Sequence, residues 1–180
     1  MDENDFFMTI QGQFVAGAQR YLTAAQVLCD STEWRTRGRL LQTPALHLLA
    51  HGAELLFKYP LIRHGANQDE VRSTYGHDLL KLWSADANEI LRRESLQAAE
   101  LVWSAARDGG KWPNDDFSEN PRDVLVGALG VLSHLHGRSS SFALRYIIQK
   151  ETRAPRPPFL IEAFGSIAER TCMNPGFLDY

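Results

Sequence analysis

Residues 43 to 83 constrain the fold of this chain more than any other stretch. They open Thr-Pro-Ala-Leu-His-Leu-Leu-Ala-His-Gly-Ala-Glu-Leu-Leu-Phe-Lys-Tyr-Pro and, after a polar turn, resume as Gly-His-Asp-Leu-Leu-Lys-Leu-Trp. Leu46, Leu49, Ala50, Ala53, Leu56 and Phe57 recur at helical spacing. Thr43 is a good N-cap and Pro44 a good first helical residue, so a helix is expected to begin there. Pro60 should kink or end it, and Gly65 supplies a stop. His47, His51, Glu54 and Lys58 follow one another at steps of four, three and four, which places them on one helical face. Ionisable groups on so apolar a helix need hydrogen-bonding or charged partners if they are buried. Gly76-His77-Asp78 then breaks the chain and opens another helix, with His77 or Asp78 near its positive end. Two antiparallel helices with facing polar residues are the expected arrangement.

The rest of the chain supports an all-α fold of five to six helices. Residues 6 to 29 carry an apolar stripe through Phe7, Ile10, Phe14, Ala18, Tyr21, Leu22, Ala25 and Leu28. Residues 34 to 42 read as a connector with Arg35, Arg37 and Arg39 at alternate positions, either a solvated loop or a contact for phosphates. Further helices are expected over 77 to 93, 96 to 107, 121 to 135 and 159 to 172. Gly109-Gly110 ends the second of these, and Asn120-Pro121 opens the third. Residues 138 to 156 differ in character: aromatic and β-branched residues lead into a Pro-rich run, so an extended arm is expected there.

Composition bounds the possibilities. At 180 residues with 44% hydrophobic content, the chain fits a single domain with a proper core, about residues 5 to 137, followed by the arm and a last helix over 138 to 180. A net charge of −3 argues against strong non-specific binding to nucleic acid or membrane. Cys29 and Cys172 belong to no metal or redox spacing and are expected to be reduced, with no disulfide partner, in a cytoplasmic protein. The acidic N-terminus does not read as a signal peptide, and the longest apolar run, Val124 to Leu135, is too short to span a bilayer. No cofactor is expected.

The pattern Ala-His-Gly-Ala-Glu-Leu-Leu-Phe-Lys followed by Gly-His-Asp-Leu-Leu-Lys-Leu resembles the HEPN superfamily of small all-helical proteins. The likeness covers residues 43 to 83 and, more loosely, the helix near 121 to 136. It implies a helical bundle, frequent homodimerisation, and the handling of nucleotides or RNA. Some members are ribonucleases with an Arg-x4–6-His motif, which Arg72-Ser-Thr-Tyr-Gly-His77 matches in spacing. There His77 would act as general acid and base, and Arg72 would stabilise phosphorane charge. The family prefers Asn, Asp or His after the arginine, where this chain has Ser73.

Three constellations follow. Arg72 and His77 are the candidate catalytic pair. Glu54, Lys58, His77, Asp78 and Arg145 form a candidate ligand-binding cluster, or else a purely structural one that docks the helices. His47 and His51 at i, i+4 are an alternative metal chelate, requiring a further ligand such as His77, His134 or His136. The expected function is a nucleotide- or RNA-interacting module. The alternatives are a HEPN-type ribonuclease, a protein-interaction module, or a metal-binding bundle.

Overall fold

The computed structural model describes residues 3–112, 115–144 and 155–179, and every regular element among them is helical. In chain order these are α1 (Glu3–Met8), α2 (Ile10–Asp30), α3 (Thr32–Arg63), α4 (Gln68–Tyr75), α5 (Leu79–Trp83), a 3-10 turn (Asp86–Asn88), α6 (Glu89–Asp108), α7 (Pro121–His136), a second 3-10 turn (Arg138–Ser140) and α8 (Pro157–Met173). No helix among them is long and apolar enough to cross a membrane.

The first expected helix divides at Thr9, whose hydroxyl accepts from Gly12 N and caps α2. That break turns Ile10 outward and leaves Val15, Ala18, Leu22, Ala25 and Cys29 as the buried stripe. α2 packs antiparallel against α3 over its length. The contact is close at Gly52, where an added Cβ would lie 2.8 Å from Leu22 Cγ. α8 lies against α2 and α6, and α7 against α5 and α6. Phe57 of α3 joins the layers, with ring centroids 5.3 Å from Phe164 and 5.5 Å from Trp83. The tail after α8 folds back: Arg63 Nη2 donates to Asp179 Oδ2 at 2.8 Å, and Tyr59 Oη donates to Pro175 O.

Several expected boundaries are corrected. Residues 34 to 42 are helical, part of a 32-residue α3 with one non-helical residue at Arg37 (φ −140°, ψ 35°). The cap is not Thr43 but Ser31, whose Oγ accepts from Trp34 N while donating to Leu28 O, so one hydroxyl closes α2 and opens α3. Pro44 sits inside α3 rather than at its start, and Pro60 lies late in it, shortly before its end at Arg63. Ala45, Leu46, Leu49 and Leu61 around them are buried, and that packing outweighs the lost backbone bonds.

The helix expected over 77 to 93 is interrupted after Trp83, while the one expected at 96 begins at Glu89. Arg92 Nη1 donates to Trp83 O and Ala85 O, at 2.7 and 2.8 Å, and so satisfies carbonyls that the interruption frees. Ser95, inside α6, is fully buried. In the expected arm, residues 138–144 form a 3-10 turn followed by tight turns, with no strand; residues 145–154, including Arg145, lie outside the described residues.

Asn88 is the buried pivot of the α5–α6 junction. Its amide donates to Phe57 O and Leu82 O, each at 2.8 Å. Asn88→Ala would leave both carbonyls without this donor, and urea unfolding should show a loss of about 2–3 kcal/mol. A change below about 0.5 kcal/mol would mean that Asn88 does not hold this junction.

Candidate functional site

The polar face of α3 is real, and it points inward. Glu54 is 3% exposed and Lys58 8% exposed, one turn apart, and their side chains form an ion pair. Two more donors reach Glu54 from elsewhere in the chain. His77, in the turn between α4 and α5, places Nδ1 2.9 Å from Oε2. His136, the last residue of α7 and 1% exposed, places Nε2 2.7 Å from the same oxygen. A carboxylate only accepts, so both imidazole nitrogens carry their proton on the side facing Glu54.

Burial alone would raise the pKa of Glu54. The hydrogen bond from His136, the charge of Lys58 and the bonds from His77 and Lys58 outweigh it and hold the carboxyl well below its usual range. Glu54 is therefore an anion whose oxygens are met by donors from three parts of the chain.

The wider ring of histidines is close-set. The His136 ring lies 5.5 Å from that of His77 and 6.4 Å from that of His47. His51 is half-buried and meets Tyr21 of α2 edge-on at 4.4 Å. Burial lowers the His51 pKa; Glu54 opposes that, while His136, His47 and Lys58 reinforce it. The second ring nitrogen of His136, Nδ1, is buried with no hydrogen-bond partner among the described residues. The ligand atoms of His51, Glu54 and His136 lie within 4.8 Å of one another.

His77 also faces outward. Its side chain is 37% exposed and forms part of the wall of an open cleft of about 900 Å³. Arg72, Tyr75, Ser133, His134 and Arg138 line the same cleft. Gly76, at φ +56°, turns the chain sharply between α4 and His77, so Arg72 and His77 share a cleft without sharing a helix. Phe142 contacts the His77 ring edge-on at 5.9 Å. Among the described residues, neither Arg72 nor Arg138 is held in an ion pair. Asp69 and Asp78 also line the cleft, so it is mixed in charge rather than uniformly basic.

The structure thus brings Glu54, Lys58 and His77 into direct contact and sets Arg72 in the cleft that His77 borders. Asp78 borders the cleft and also has a structural role. Its Oδ1 accepts from Lys81 N at 3.0 Å and from Ser133 Oγ at 3.2 Å, which caps α5 and ties it to α7. Arg145 lies outside the described residues. His136 was foreseeable only as one of several possible metal ligands, yet it is the most buried donor to Glu54. The two-residue step His134-x-His136 does separate the rings, one exposed in the cleft and one in the core. Both cysteines are free thiols, with burial pushing Cys29 up to about 12 and Cys172 up to about 11.

Comparison with protein-family models, with curated proteins and with solved structures finds no match to this chain.

Glu54→Gln removes the negative charge and leaves Lys58 buried without its counter-ion. At neutral pH it should cost about 3–5 kcal/mol in chemical denaturation. The pH dependence has a definite sign. The folded carboxyl titrates below its ordinary value of 4.5, so its stabilisation is complete above that pH and is lost as pH falls below it towards the folded value. The stability gap between wild type and variant should therefore narrow below about pH 4.5, the ordinary value. A gap that stays constant down to pH 3 would contradict this assignment of charge.

Proposed function

We propose that this chain is a HEPN-like helical module that binds a phosphoryl group of a nucleotide or RNA in the cleft beside His77. One observation carries the reading: a histidine oriented by a buried carboxylate stands on a cleft wall that also holds two arginines with no ion pair among the described residues. Arginine presents paired donors that suit phosphate oxygens. The acidic neighbours Asp69 and Asp78 and the net charge of −3 favour one or a few phosphates over a long duplex. The resemblance over residues 43 to 83 points to the same ligand class, and the homodimer it implies belongs to this proposal.

A second reading, ribonuclease action, draws on the same pairing. Donating from Nδ1 to Glu54, a neutral His77 has Nε2 unprotonated and able to take a proton from a 2′-hydroxyl. Arg72 or Arg138 would then face the developing negative charge on phosphorus. The candidate pair Arg72 and His77 keeps its roles in this reading, with Glu54 as the positioning residue.

Fluorescence anisotropy with labelled single-stranded RNA and with a labelled mononucleotide, at low salt, tests the binding proposal. Saturable binding is expected, weakened about tenfold by Arg72→Ala or Arg138→Ala, which corresponds to about 1.4 kcal/mol. An absence of binding, or binding indifferent to both substitutions, would overturn it. Incubation with a mixed RNA pool separates the two readings: cleavage abolished by His77→Ala supports the ribonuclease, whereas intact RNA leaves binding alone.

A further inference from the structure

We infer that His51, Glu54 and His136 form a binding site for one divalent first-row transition-metal ion of the zinc or cobalt kind. None of the three is among the residues that line the cleft, and the site does not depend on the phosphate proposal.

The geometry comes from two helices. His51 and Glu54 are one turn apart on α3 and share a face, and His136 reaches them from the end of α7. Their ligand atoms fall within 4.8 Å of one another. In a tetrahedral zinc site, metal–ligand bonds near 2.1 Å set donor atoms about 3.4 Å apart. The three groups therefore have to close by up to roughly 1.4 Å to take up an ion. His51 is the group best able to move, since it is only half-buried; Tyr21 meets its ring edge-on. Its partial exposure also gives the ion a path from solvent.

Lys58 does not block the site. Its Nζ pairs with Oε1 of Glu54, whereas His136 and His77 converge on Oε2. A second observation points the same way. His136 Nδ1 is buried and without a hydrogen-bond partner among the described residues, so no bond at Nδ1 fixes the ring's tautomer and its proton can sit there when Nε2 ligates. Taking up an ion replaces the Nε2–H···Oε2 bond: Nε2, the nitrogen on the Glu54 side, becomes the ligand and Nδ1 carries the ring proton.

The ligand set selects the ion. Two imidazoles and one carboxylate suit zinc, cobalt or nickel; magnesium and calcium need shells made mostly of oxygen. Three protein ligands leave a fourth position for water. The Lys58 charge nearby opposes a cation, so the affinity should be on the order of micromolar rather than nanomolar.

The test is isothermal titration of the full-length, tag-free protein with zinc chloride, together with cobalt titration followed by its visible d–d absorption. The expected result is one ion per chain, with cobalt bands that saturate at the same stoichiometry. His51→Gln should weaken zinc binding about tenfold or more. His136→Gln should abolish the cobalt bands. His64→Gln, at an exposed histidine just past α3, should change neither. Because His136 is buried and its variant can lose the fold, His51→Gln decides the matter, with its metal-free melting curve checked against wild type. No saturable binding at millimolar zinc, or binding equally strong in His51→Gln, would overturn the site.

Discussion

A single carboxylate sets the terms for the surrounding structure. Glu54 sits in the middle of α3 among side chains that exclude water, and an ion there must be met by donors or become neutral. Lys58 comes from its own helix, His77 from the turn after α4, and His136 from the end of α7. The first partner is assured by local helical spacing. The other two arrive only if α7 ends where it does and the chain reverses at Gly76 as it does. The requirement of one buried charge thereby becomes a requirement on the position of three segments. Buried ion pairs add little net stability over an apolar replacement, so the driving force for folding lies in the leucine, phenylalanine and alanine surfaces of α2, α3, α6, α7 and α8. Glu54 is satisfied only in a packing that brings these three segments together.

How much of this was legible in the sequence depends on the range of each interaction. The helical class, the face shared by His47, His51, Glu54 and Lys58, and the start of α7 at Asn120-Pro121 are local, and they read directly from spacing and capping chemistry. The boundaries that misled are those settled by tertiary partners. Thr43-Pro44 has every local mark of a helix start, but buried neighbours carry α3 through it and Ser31 provides the cap instead. The interruption after Trp83 has no sharp local sign. It exists because Asn88 and Arg92 reach back to satisfy the carbonyls it exposes.

The candidate site divides the same way. Glu54 and Lys58 were visible as a favourable i, i+4 pair, and His77 as a polar residue at a helix opening. Asp78 was legible both as a carboxylate near a helix N-terminus and as a candidate ligand-binding residue; its acceptor bonds, to Lys81 N and Ser133 Oγ, establish the first role. His136 is 82 residues from Glu54, and no spacing rule spans that distance. What pairs them is the topology that lays α7 beside α5 and α3.

His77 is where core and surface meet. Its ring is fixed from within by Glu54, and Phe142 touches it edge-on from the segment after α7. Phe142 and Ser141 both have left-handed backbone conformations, at φ 58° and 53°. Such a conformation costs a bulky residue roughly 1–2 kcal/mol and persists only where surrounding contacts hold it. Ser140 supplies one such contact, its Oγ accepting from Ala143 N at 3.1 Å, and Leu144 N donates back to Leu135 O at 3.3 Å. The turn after α7 is thus pinned to the helix it leaves, and its strained residue rests on the one imidazole that touches both the buried carboxylate and the cleft. A ring held on two sides loses little further freedom when a ligand binds, so in the proposed phosphate site preorganisation would contribute more than the number of charges lining the cleft.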